Sequence, residues 1–252
     1  MNKLEWGGRN KNMKRKKLTV VFLSALLISG AFYFYSYRKL YMNKDHIAVV
    51  TNKFIDGDTK GEVNNIKALQ EQYRNQDIKA LFRVKDTDFE KILVQSKDNE
   101  YYLRKNLKKT YDIMGVPFID YRSVIGKSRK TIIYGHNGSR NEAPFKYLEK
   151  YYDKNFYDEH QIIEIETEFG IKHYQIFSVY VETKDFTYYN KFNFKDDADF
   201  LKHVNNLKKK SFYDTGISVN KDDNILIIQT CCKLAKYQKY DKKYLLIISK
   251  EV

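Results

Sequence analysis

Two side chains in the 252-residue chain have a type and placement suited to covalent chemistry. Cys231 ends the apolar run NILIIQTCC, and His136 follows TIIYG. A thiolate is a strong nucleophile, and an imidazole beside it can take and return protons near neutral pH. A Cys–His pair therefore supports acyl transfer. Each residue stands where a buried strand gives way to a turn, and such connections carry a disproportionate share of function. The plainer alternative for Cys231 is an inert core cysteine, a common fate for this residue. His46, His160, His173 and His203 have no partner motif and are expected to be solvated or hydrogen-bonded structural groups. Cys232 follows Cys231 directly, and consecutive strand residues point to opposite faces, so only one thiol can meet His136. Two adjacent cysteines in the whole chain exclude a disulfide framework and a cysteine-rich zinc module.

The pair is separated by most of a domain, so strands must bring it together. Lys91–Gln95, Gly115–Asp120 and Thr131–Tyr134 read as short strands. Gln161–Glu166 and Lys172–Glu182 alternate apolar and polar residues around a turn at Thr167–Gly170, a hairpin pattern. Asn224–Gln229 and Tyr244–Ser249 are continuously apolar, as in strands covered on both faces. Two helices interrupt them. One begins at Pro144, with Phe145, Leu148 and Tyr151 or Tyr152 on one side. The other spans Asp196–Lys210, acidic at its start and basic at its end, with Phe200, Leu201, Val204 and Leu207 as its buried stripe. Residues 40–85 read as polar helix, with Val63, Ile66, Leu69 and Tyr73 forming an amphipathic stripe. Many short strands with few helices point to a mainly β barrel or sandwich decorated with helices.

The N-terminus addresses the compartment. Residues 18–37 carry no charge and follow Lys14–Lys17, with Tyr33, Tyr35 and Tyr37 at the far end. Twenty helical residues rise about 30 Å, the thickness of a bilayer's hydrocarbon core. The expected organisation is a cytoplasmic basic tail over 1–17, a transmembrane helix over 18–37, a linker over 38–58 and an extracytoplasmic domain over 59–252. A cleaved signal peptide is the alternative. The formal charge is +14, of which seven basic residues against Glu5 in 1–17 supply +6, leaving +8 for the rest. Outside the cytoplasm that excess is expected to be mostly a solvated surface, with an anionic wall or membrane as the alternative partner, and a nucleic-acid partner is not expected.

TIIYGHN, the apolar strand into QTC, and a final strand preceded by basic residues resemble the sortases, specifically class B. KDNEYYLRKN, GVPFIDYRS, the helix at Phe145–Leu148, the hairpin at 161–182 and the helix at 196–210 extend the resemblance over roughly residues 60–250. The resemblance implies an eight-stranded closed sortase β-barrel with N-terminal helices and an extra helix before the cysteine strand. It implies a cysteine transpeptidase of Gram-positive bacteria that needs neither cofactor nor metal. Cys231 would attack the Thr carbonyl of an NPxTx-type C-terminal sorting signal on a secreted protein. His136 would protonate the leaving amine, then take a proton from an amine of the peptidoglycan precursor. Sortases carry an Arg before the last strand, whereas this chain has no Arg after Arg140; Lys243 stands in that place by register to the strand, with Lys242 or Lys239 the alternatives if the loop slips. Matching the family residue by residue places Asn99, Leu103, Tyr134, Tyr188, Tyr189 and Thr230 around the groove for the sorting signal. Two alternatives stay open: a caspase-like cysteine peptidase, although QTCCK lacks the Q-A-C-x-G pattern, and a catalytically impaired binding module on a sortase barrel.

Overall fold

The computed structural model describes residues 29–31, 65–138 and 143–252. The expected tail, linker and most of the membrane span lie outside them; residues 29–31 are helical. Among the described residues, no helix is long and apolar enough to cross a membrane. Eight strands close into a barrel: β1 (Ile78–Val84), β2 (Glu90–Val94), β3 (Phe118–Ile119), β4 (Lys130–Tyr134), β5 (Ile162–Thr167), β6 (Gly170–Glu182), β7 (Ile225–Cys231) and β8 (Tyr244–Glu251). Their order around the wall is β1-β2-β3-β4-β7-β8-β6-β5. The β2–β3 and β4–β7 pairs are parallel and the others antiparallel.

All eight strands contribute to an interior cluster, including Phe82, Leu93, Ile119, Ile133, Ile163, Ile176, Leu226, Ile228, Leu245 and Ile247. The intervening residues Ile225, Ile227, Leu246 and Ile248 belong to a second cluster with Phe200, Val204 and Leu207. Those three lie on the helix Asp197–Lys209, which covers the outside of the wall. This explains why β7 and β8 are apolar without alternation: both faces are buried. A bulge between Ile176 and Ser178 switches the parity of β6, so Ile176 and Val179 face inward while Phe177 and Tyr180 join the outer cluster. The helix is capped as its sequence requires, with the Asp196 carboxylate accepting from the Asp199 N–H. His203 is buried on its stripe, where Leu201 was expected to lie deeper.

Three expectations are corrected. The helix before the barrel ends earlier than 40–85 suggests: among the described residues α1 spans Asn65–Tyr73, residues 40–64 lie outside them, and IKALFRV is β1, between β2 and β5. Arg74 ends the helix with a left-handed φ of 50°, and Asn75 is buried with its amide donating to Tyr102 Oη at 3.0 Å and the Leu107 carbonyl at 2.8 Å. The segment after Pro144 is a 3₁₀ helix over Lys146–Tyr152, followed by α2 (Lys154–Glu159). Phe145, Leu148 and Tyr151 are all buried, and their spacing of three matches the three-residue turn of that helix. Of GVPFID only Phe118 and Ile119 join the sheet; Pro117 has no N–H, and its carbonyl accepts from Val94 at 3.2 Å. A one-turn α3 (Phe186–Tyr189) precedes the outer helix, hereafter α4.

Candidate active site

The parallel pairing of β4 with β7 brings Cys231 and His136 to one end of the barrel. The ladder ends with Tyr134 opposite Gln229, so Gly135–His136 and Thr230–Cys231 leave it at the same end of the barrel. Hydrogen bonds continue past the ladder. Gly135 N–H donates to the Gln229 carbonyl at 3.2 Å, and the Thr230 hydroxyl donates to the Gly135 carbonyl at 2.8 Å. The amide of buried Asn137 donates to the Cys231 carbonyl at 2.9 Å and to Glu149 at 2.8 Å. Gly135 is required here, because a Cβ would stand 2.4 Å from the ring of buried Phe145. The histidine turn is thus pinned to the cysteine strand by backbone and side chain alike.

The two thiols are clearly distinguished. Cys232 is 1% exposed and accepts from the Tyr152 hydroxyl at 3.3 Å, while Cys231 is half-buried. Burial pushes the Cys231 thiol up, outweighing the nearby charges of Lys233 and Lys243. Burial also pushes the His136 imidazole down, so the resting pair is a neutral thiol with a neutral imidazole. Desolvation overrides the two lysines. Lys243 lies beside the site through its backbone, its carbonyl accepting from Cys232 N–H at 3.0 Å. Its ammonium donates to the Tyr240 carbonyl at 2.8 Å.

The Sortase domain family model matches residues 82–250. Sortase B of Listeria monocytogenes is 34% identical over 240 residues, spanning 91% of this chain and 94% of that protein. The chain belongs to the sortase family. The class B likeness extends to solved structures. A Bacillus anthracis protein described as similar to sortase B superposes with a TM-score of 0.69 at 30% identity, over 84% of this chain and 96% of that one. The Staphylococcus aureus sortase B–substrate complex shares the fold, with a TM-score of 0.73 at 24% identity over 85% and 97% of the two chains.

Along the sortase wall the remaining residues separate into two groups. Asn99 and Tyr134 converge on the Asp120 carboxylate, donating to Oδ2 at 3.0 and 2.9 Å. Arg122 grips the same carboxylate with Nε at 2.8 Å and Nη2 at 2.6 Å. Burial would raise the Asp120 pKa, but these donors overcome it and hold the carboxyl below its usual range. Leu103 is exposed, and its carbonyl lies 3.0 Å from His136 Nε2. Tyr188 is half-buried and Tyr189 is buried. Tyr189 is 3% exposed and donates to Gln229 at 2.7 Å, while the Tyr188 hydroxyl accepts from Asn206 on α4 at 2.7 Å. Buried Lys130 fastens that segment from within, donating to the carbonyls of Tyr189 and, at 2.8 Å, Lys191. Neighbouring His203 is pushed down to about 3, by burial first and the Lys130 charge second, and is neutral. Thr230 is likewise buried, its hydroxyl committed to Gly135.

Sequence reasoning missed Asp120, Arg122, Asn137 and Arg104. Asp120 and Arg122 were visible within GVPFIDYRS as an opposite-charge pair two residues apart, the spacing that places side chains on one side of an extended chain. The contacts of Asn137 and Arg104 are tertiary, and local sequence carries no sign of them.

Proposed function

We propose that this sortase cleaves an NPxTx-type sorting signal after Thr and transfers the protein to an amine of the peptidoglycan precursor. The supporting observation is the β4–β7 register, which brings a half-exposed Cys231 and His136 to the same barrel end. Cys231 Sγ attacks the Thr carbonyl carbon while His136 takes the thiol proton. The C–N bond then breaks, and His136 gives that proton to the departing amine, leaving a thioester. The acceptor amine attacks the thioester, its proton passes to His136, and the sulfur leaves and is reprotonated. The amide bond's energy is conserved in the thioester, so the exchange needs no external energy source. Lys243 and Lys233 favour the thiolate as it forms, because their charges oppose the burial of the sulfur.

In this reading residues 18–37 anchor the chain, with the N-terminus cytoplasmic and the barrel outside. The uncharged run behind Lys14–Lys17 supports that orientation. Incubating the full chain with NPxTx peptides and an amine nucleophile, followed by mass spectrometry, tests the reaction. The expected result is an acyl adduct on Cys231 and an aminolysis product. Hydrolysis without aminolysis would assign a peptidase, and no adduct with any such peptide would assign a binding module. Retention of the chain in the membrane pellet after alkaline extraction tests the anchor.

A further inference from the structure

Arg104 ends the 3₁₀ turn Tyr101–Arg104 and reaches the imidazole side of the site. Its Nη1 lies 3.3 Å from His136 Nε2 and also donates to the Ile113 carbonyl. The other arginines of the barrel wall and its edges are committed to carboxylates: Arg83 to Glu90 and Glu166, Arg122 to Asp120, Arg129 to Asp197. Among the described residues Arg104 has no ion pair. The Leu103 carbonyl lies 3.0 Å from the same ring nitrogen. One nitrogen is therefore offered an acceptor and a cationic donor by two consecutive residues. Nδ1 of His136 makes no hydrogen bond among the described residues.

We propose that Arg104 is a positioning residue of the catalytic pair: with the Leu103 carbonyl it cradles Nε2 of His136, keeps the ring oriented through turnover, and favours its neutral form. This inference rests on the reading of His136 as the acid–base group. When Nε2 carries a proton it donates to Leu103; when it is bare it accepts from Arg104. The ring keeps a partner in either state, and Nδ1 is left as the working nitrogen. An imidazolium beside a guanidinium is disfavoured, so Arg104, against the pull of the Leu103 carbonyl, biases His136 toward the form that takes the thiol proton.

The charges around His136 support the sign. Burial is the largest influence lowering its pKa and Arg104 adds to it, while the Leu103 carbonyl and Asp112 act the other way. Glu149 reaches the histidine turn only through Asn137 and is paired with Lys146. Lys233 and Lys243 act on the sulfur from the cysteine strand and β8.

The test is the titration of His136 in the full chain, labelled with ¹³C at histidine Cε1, the resonance being assigned by its loss in His136→Gln. Arg104→Ala should raise proton affinity about three- to tenfold, the range for removing one partly exposed like charge. Arg104→Lys, which keeps the charge, should stay near the parent. Asp112→Asn should move the titration in the opposite direction. The His136-governed limb of kcat/KM should shift to higher pH in Arg104→Ala by the same factor. A parent-like titration in Arg104→Ala would overturn the proposal. So would Arg104→Ala and Asp112→Asn moving the same way, since mere loosening of the 104–115 segment would do that. The titration requires no turnover, so it stands apart from whether Cys231 forms the thioester.

Discussion

Two polar constellations adjoin along the barrel wall, and they are built on opposite terms. At Tyr134 the hydroxyl donates to Asp120, a fully buried carboxylate that also receives Asn99 and both arms of Arg122. Two residues further on, His136 and Cys231 have few partners. The Cys231 sulfur has no hydrogen bond among the described residues, and both groups rest neutral because desolvation outweighs the nearby charges. A satisfied ionised group holds structure; an under-coordinated neutral pair has lone pairs and protons left for a substrate. Arg122 also donates to Asn190 at 2.6 Å, which extends the satisfied cluster to the residue after α3.

The comparison can be broken by exchanging consequences between the two places. The largest effect is expected at the sulfur. Cys231→Ala should lower turnover by a factor of about 10⁴ or more with little change in thermal stability. Cys232→Ala should keep turnover within about threefold while costing about 1 kcal/mol of stability from a buried site. If the two variants exchanged phenotypes in peptide aminolysis assays, the nucleophile would have to be reassigned.

At Asp120 the effect should fall on stability instead. Asp120→Ala strands Arg122, Tyr134 and Asn99 and should cost about 3 kcal/mol in chemical denaturation. The folded Asp120 carboxyl titrates below its unfolded range, so its stabilisation is present above the ordinary carboxylate pKa and lost as pH falls through the lower folded value. Asp120→Asn should therefore flatten the acid limb of the stability curve. A parent-like limb would show that Asp120 is not an ionised anchor.

The smallest effect sharpens the contrast within the reactive pair. Lys243→Ala removes a charge that favours the thiolate, so the Cys231 pKa should rise further. Iodoacetamide alkylation near pH 7 should slow by about three- to tenfold. An unchanged rate would leave Lys233 as the cation that matters to the sulfur.

Segments with unambiguous burial were legible in the sequence. β7 and β8 showed their two-sided covering as unbroken apolar runs, and the hairpin between β5 and β6 declared its turn. Asp196 and the lysines at 208–210 bounded α4. β1 was hidden because Ile78, Leu81 and Phe82 also fit helical spacing after Ile66 and Leu69, and only pairing with strands on both sides decides the matter. His136 and Cys231 were nominated by their positions at strand ends together with the sortase resemblance, and both lie at one end of the β4–β7 pair. The contacts of Tyr188 and Tyr189 with Asn206, Gln229 and Lys130 are tertiary, and local sequence does not reveal them.

The parallel contact between β4 and β7 has an architectural consequence. Strands that run the same way must be joined by a long excursion, and here that excursion carries β5, β6 and α4. Cys231 and His136 are set by direct backbone neighbours, and the excursion fastens to the same end through Phe145 against Gly135, Glu149 to Asn137 and Tyr152 to Cys232. Lengthening or trimming that detour should therefore spare the His136–Cys231 end only where residues 145–152 keep their place.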